Sequence, residues 1–132
     1  MGRLLGSTDS SYCQQNVNFD YTSALVTQAF YCAPRTSIVT DIRGRVRVAG
    51  SGGACTVQFF KAPSGTAVGS GTLLSSGTYN LVGTADAVQV LTLNAAQSTL
   101  ILQPGDSLGY VLTGTATSAV GTITVTLEPY NT

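Results

Sequence analysis

Beyond residue 38, hydrophobic and polar residues alternate along most of the chain, in short runs broken by clusters of Gly, Ser, Pro or Asn. A period of two is the mark of a strand with one buried face. In the first such run Ile42, Gly44, Val46 and Val48 fall on one side and Arg43, Arg45 and Arg47 on the other. After the Gly50-Ser51-Gly52-Gly53 turn, Cys55, Val57 and Phe59 alternate with Thr56, Gln58 and Phe60. Lys61 to Gly71 reads as a loop. Weaker segments follow at Thr72 to Leu74 and Thr78 to Val82, then a clear one at Val88 to Leu93 and a short apolar one at Ser98 to Leu102. Gln103-Pro104-Gly105-Asp106 has turn residues in turn positions. Leu108, Tyr110 and Leu112 then alternate with Gly109, Val111 and Thr113, and their side faces either the core, the favoured expectation, or the axis of an oligomer. The last run is the most regular. Ile123, Val125 and Leu127 point one way, and Thr122, Thr124 and Thr126 the other, so one face is core and the opposite face wet or paired.

Seven or eight strands at short intervals predict an all-β fold, an antiparallel β-sandwich or barrel. Helix competes only at Thr22 to Phe30 and Ala95 to Ser98. The first 36 residues differ in character, holding five of the ten aromatics, Tyr12, Phe19, Tyr21, Phe30 and Tyr31. Disordered tails are poor in aromatics, and each ring can bury about 150 to 250 Å², so this segment lies against something. It either completes its own core, as an edge strand and a loop, or forms an arm that packs on a neighbouring subunit. The expected organisation is an extended N-terminal arm over 1–36 and a sandwich over 37–132.

The chain has 132 residues, one domain's worth. Its charged share of 9%, against about 25% in an ordinary soluble domain, leaves little charged surface. The absence of His removes the commonest general base and metal ligand. The six acids are scattered, so an enzyme would have to pair residues such as Asp86 and Asp106 in space. The Gly50 to Gly53 cluster lacks the Lys-Ser/Thr of a phosphate loop. A non-enzyme without cofactor, metal or small-molecule substrate is expected.

All six basic residues fall in the first 61 positions with three acids, so that part is +3 and the remainder −3. This bias is too weak for a nucleic-acid binder. No apolar run approaches the roughly 18 residues of a membrane span, and the start lacks the apolar core of a secretory signal, which predicts cytoplasmic synthesis. The cysteines, Cys13, Cys32 and Cys55, have no metal-chelating spacing. They are expected as buried reduced thiols, with a Cys13–Cys32 bridge as the alternative.

At strand spacing Arg43, Arg45 and Arg47 project from one face about 7 Å apart. They form either a solvated outer face that discourages edge pairing or a contact stripe for acidic groups of a partner. Together with Tyr12, Phe19, Tyr21, Phe30 and Tyr31 they are the candidate protein-contact residues.

The run Leu-Ile-Leu-Gln-Pro-Gly-Asp-Ser-Leu-Gly-Tyr-Val-Leu-Thr-Gly at 100 to 114, followed by Val-Gly-Thr-Ile-Thr-Val-Thr-Leu at 120 to 127, resembles the closing strands of small jelly-roll domains. It is similar to the trimeric jelly-roll decoration, or cement, proteins of tailed-phage heads, and more distantly to trimeric heads of the complement-C1q and tumour-necrosis-factor type. The resemblance implies a jelly-roll-like sandwich that binds the major capsid protein on the capsid exterior as a homotrimer and strengthens the shell. The competing expectation is a receptor- or glycan-binding module of a virion fibre or adhesin, stacking sugars on loop aromatics such as Tyr79.

Overall fold

The computed structural model describes residues 14–22, 26–115 and 117–130. Among them the chain forms ten β-strands and no α-helix: β1 (Gln15–Tyr21), β2 (Gln28–Cys32), β3 (Ser37–Val48), β4 (Cys55–Ala62), β5 (Thr72–Leu73), β6 (Tyr79–Asn80), β7 (Val88–Val90), β8 (Ile101–Leu102), β9 (Ser107–Gly114) and β10 (Val120–Pro129). Two antiparallel sheets face each other as a sandwich. Sheet A runs β1-β10-β3-β7, with β8 also on β3, and sheet B runs β2-β9-β4-β5, with β6 also on β4.

The alternation read from the sequence sets the faces. Along β10, Gly121, Ile123, Val125 and Leu127 are buried while Thr122, Thr124 and Thr126 are only partly covered. Along β3, Ile42, Gly44 and Val46 are buried beneath the outward arginines. Val48, expected on the buried face, is 46% exposed, because the β3–β10 register shifts at Val120/Gly121 and turns the strand end outward. Leu108 and Tyr110 lie in the core, with Leu112 packed at its margin.

Aromatic rings fill one flank of the sandwich. Phe19 stacks on Phe30 at 5.3 Å between ring centres, and both reach Tyr110, which meets Phe59 edge-on behind them. At another point Tyr21 and Tyr79 meet edge to face at 5.9 Å, their hydroxyls hydrogen-bonded at 2.8 Å. Two inward glycines make room for this pair: a Cβ at Gly44 would run into the Tyr79 ring, and one at Gly121 into the Tyr21 hydroxyl. Burial pushes both phenols up from their ordinary value, so both stay protonated and neutral in the core.

The Gln103–Asp106 turn forms as expected. Gly105 takes φ +91° after Pro104, the Asp106 N–H donates to the Gln103 carbonyl at 2.9 Å, and the Asp106 carboxylate accepts from the Gln103 N–H at 2.9 Å. Three expectations are corrected. Only Val88–Val90 of the 88–93 segment forms a strand on β3: Leu91 still donates its N–H to the Ile42 carbonyl, but the chain then leaves β3 and Leu93 bridges Ser75, just past β5. The 98–102 segment is a single 3-10 turn (Gln97–Leu100) followed by two strand residues. Strand β4 runs on through Lys61 and Ala62, where a loop was expected.

Of the two readings of the first 36 residues, the described part supplies an edge strand to each sheet. β1 pairs with β10 from Gln15↔Leu127 to Tyr21↔Gly121, and β2 pairs with β9. Residues 1–13 lie outside the described residues.

Candidate contact surfaces

The outer face of sheet A is a polar grid laid out by register. One row is Asn18, Thr124, Arg43 and Val90, the next Asp20, Thr122, Arg45 and Val88, and a third Asn16, Thr126 and Asp41. Each threonine hydroxyl donates to its neighbour on β1: Thr122 to Asp20 at 2.7 Å, Thr124 to Asn18 at 2.8 Å and Thr126 to Asn16 at 3.0 Å. The face that the alternation marked as wet or paired is therefore paired. The threonine ladder fastens β1 to the sheet from outside, while Val17, Phe19 and Tyr21 fasten it from inside.

The three arginines do project together, but two are answered within the chain. Arg43 grips Asp41 through Nε at 2.7 Å and Nη2 at 3.1 Å, and Arg45 reaches Asp86 at 3.4 Å. Arg47 has no ion pair among the described residues. Asp86 adopts φ +66° at the end of its turn, a conformation that Asp tolerates better than most residues. Beside the arginines, Val88 and Val90 stand 53% and 59% exposed on the short edge strand β7. Reading the arginines alone misses these valines, although the Val-Gln-Val alternation carries the signal.

The aromatic candidates separate. Phe19, Phe30 and Tyr31 are half-buried where β1 and β2 border the sandwich, and the Tyr31 hydroxyl donates to Gln15 at 3.3 Å. Tyr21 is only 1% exposed, so its ring is spent in the chain's own core and offers a partner nothing. Tyr12 lies outside the described residues. Tyr79, the loop aromatic of the glycan-binding alternative, is fully buried in β6 and cannot stack on a sugar.

The remaining chemistry-bearing groups serve the fold. Lys61 sits on the inner row of β4, and its Nζ donates to the carbonyls of Ile101 at 2.5 Å and Ser98 at 3.3 Å, tying sheet B to the segment that leads into β8. Burial lowers its pKa, opposed by the charge of Asp106. Cys55 is buried, and burial pushes its thiol up, away from the reactive thiolate. Cys32 departs from the expectation of a buried thiol: it is exposed at the end of β2, its sulfur 3.7 Å from the Ser107 hydroxyl. The Cys13–Cys32 alternative involves a residue outside those described. Among the described residues no three His, Cys, Asp or Glu side chains cluster to hold a metal ion.

The molecule so described is a two-sheet β-sandwich whose distinctive features are surfaces. No family model and no curated protein matches the chain. Solved structures do. A chain from the capsid of Ralstonia phage GP4 is 16% identical and superimposes with a TM-score of 0.60, covering 98% of this chain and 93% of that chain. A chain of the cyanophage Pam1 capsid asymmetric unit is 16% identical with a TM-score of 0.44, over 87% of this chain and 79% of that one. A chain from disulfide-linked pili, the appendages of Bacillus endospores, is 18% identical with a TM-score of 0.38, over 90% and 88%. The first likeness establishes a shared fold over nearly the whole length of both chains.

Proposed function

We propose that this chain is a structural component of a phage virion, a decoration protein that binds the outside of the assembled capsid as a homotrimer and stabilises the shell. The observation that carries this reading is the end-to-end fold likeness to a chain of the GP4 capsid. The surfaces support it. A domain with only 12 charged residues, two of whose three outward arginines are already neutralised, loses little solvation on covering a large area. The contact residues in this reading are Arg43, Arg45 and Arg47 with Val88 and Val90 on the outer face of sheet A, and Phe19, Phe30 and Tyr31 at the edge.

The mechanism is mass action. A protein that binds the assembled shell and not its free subunits shifts the equilibrium toward the shell, and many copies on one lattice let each contact be modest. Two measurements test the reading: light scattering of the free protein, and sedimentation with assembled phage shells and with the unassembled capsid subunits of the same phage. A mass three times the 13.5 kDa chain and binding to shells alone are expected. A monomer that pellets with neither overturns the proposal.

A further inference from the structure

The sandwich has four edges, and three are blunted. β5 and β6 have two residues each and β7 three, too short to template another strand. β2 has five, but its register against β9 shifts between Ala29 and Tyr31, which breaks the line of outward N–H and C=O groups. β1 is different. It has seven residues, pairs with β10 without a register shift, and contains no proline, glycine or lysine. Among the described residues nothing pairs with its other side. A long, regular, nearly uncharged edge is a ready template for a further strand, and proteins usually disarm such edges.

The side chains of β1 indicate which strand. Asn16 and Asn18 turn their carbonyl oxygens to Thr126 and Thr124, which leaves their Nδ2 donors for the far side. Asp20 accepts from Thr122 through Oδ1, which leaves Oδ2 as an acceptor. We propose that β1 pairs antiparallel with β1 of a second copy about a twofold axis at Asn18, joining two sheets A into one continuous sheet.

In that register Asn16 faces the partner copy's Asp20, a donor opposite an acceptor at both ends, and Val17 faces Phe19 on the inner side. All seven residues are paired, and the two Asp20 carboxylates lie about 13 Å apart along the strands. Slipping by one residue would set the polar face of one strand against the apolar face of the other. Shifting two residues in one direction brings the Asp20 carboxylates closer, and in the other direction sets Asp20 against Gln14; either leaves strand residues unpaired. A single strand pair is small beside the roughly 1,200 to 2,000 Å² of a stable interface, so it is weak between free copies and effective where copies are held side by side.

The test uses the full chain with Asn18→Cys in a Cys13→Ser/Cys32→Ser background, mildly oxidised as free protein at about 1 mM. Directly opposed residues of an antiparallel pair have Cα atoms about 4.5 to 5.5 Å apart, inside the disulfide range. N18C is expected to form covalent dimers about tenfold faster than Asn16→Cys or Asp20→Cys alone, because the opposed position holds its thiols at high effective concentration. Mixing the last two should give the N16C–D20C heterodimer. An N18C protein that keeps the parent's circular dichroism yet stays uncrosslinked, or crosslinks no faster than N16C, overturns the proposal. In the unaltered chain, amide exchange in β1 should slow as concentration rises, and exchange indifferent to concentration counts against it equally. Both readouts are made without shells, so their failure leaves the decoration reading standing. A protein that crosslinks at residue 18 and ignores shells fails that reading alone.

Discussion

The two flanks of the sandwich are closed by different physics. On the β1/β2 flank, rings do the closing: Phe19 on Phe30, with Tyr110 and Phe59 behind. On the β5/β6/β7 flank the strands are fragments, and polar side chains bind them. The Gln89 amide accepts from the Asn80 N–H at 2.9 Å and donates to the Asn80 carbonyl at 2.8 Å, linking β7 of one sheet to β6 of the other. Packing tolerates a long, regular strand, and so leaves an open ladder at the edge. Amide-to-backbone bonds occupy backbone groups of a short segment, as Gln89 does at Asn80, and fragments of two or three residues offer no ladder. The flanks meet in the Tyr21–Tyr79 hydroxyl pair, one ring from β1 and one from β6.

This contrast can be broken in order of expected effect. Phe30→Ala should cost about 3 kcal/mol of unfolding free energy, read as a lower urea midpoint, since it removes a ring that touches Phe19, Phe59 and Tyr110. A cost no larger than that of Gln89→Ala would show that the rings do not hold their flank.

Alkaline pH probes the junction between the flanks. Unfolded phenols ionise near pH 10, whereas burial raises Tyr21, Tyr79 and Tyr110 in the folded chain. The folded state therefore keeps protons that the unfolded state loses, so their contribution to stability is intact below about pH 10 and falls as pH rises beyond it. Urea midpoints should hold from pH 7 to 8, begin to fall near pH 8.5 to 9 as the unfolded chain ionises Cys55, whose folded thiol burial holds protonated, and drop more steeply above about pH 10. Tyr79→Phe should make that drop shallower, and an unchanged slope would rule the pair out as its source.

Gln89→Ala should cost about 1 kcal/mol, having removed two hydrogen bonds to one backbone residue. Hydrogen exchange at Asn80 should rise while exchange in β1 does not; a rise in both would mean that the flanks are not separable. The smallest change is expected for Arg45→Glu. An exposed ion pair contributes little, so stability should shift by less than about 0.5 kcal/mol. In the proposed reading shell binding nonetheless weakens, and a variant that binds shells like the parent removes Arg45 from the contact surface.

How much was legible depended on whether an element's partner mattered. The Thr/Ile/Val/Leu alternation of β10, the Arg/apolar alternation of β3 and the Pro-Gly-Asp turn are local signals, and each predicts its element. β1 carries the same kind of signal, with Val17, Phe19 and Tyr21 against Asn16, Asn18 and Asp20. Alternation alone, however, does not say whether a strand joins its own sheet or a neighbour's. The 88–93 segment shows the limit from the other side: its residues are apolar enough for one longer strand, but after Leu91 the chain changes partner, from β3 to the Leu74–Ser76 stretch. Of the contact candidates, the arginines stand where strand geometry puts them. Tyr21 and Tyr79 go to the core without a local sign of it, because the two hydroxyls that satisfy each other there lie 58 residues apart in the chain.

Period-two patterning acts within a few residues, so the long strands β3, β9 and β10 and most of their buried faces follow from the chain alone. So does a surface poor in charge, because composition needs no coordinates. Tertiary packing chose which strands became edges, brought Asp86 to Arg45 across 41 residues, and let two tyrosines far apart in the chain share one hydrogen bond over two glycines. Those outcomes depend on which segments lie side by side. Pairing between distant strands is set by the packing of the whole core, and no local window of residues contains it.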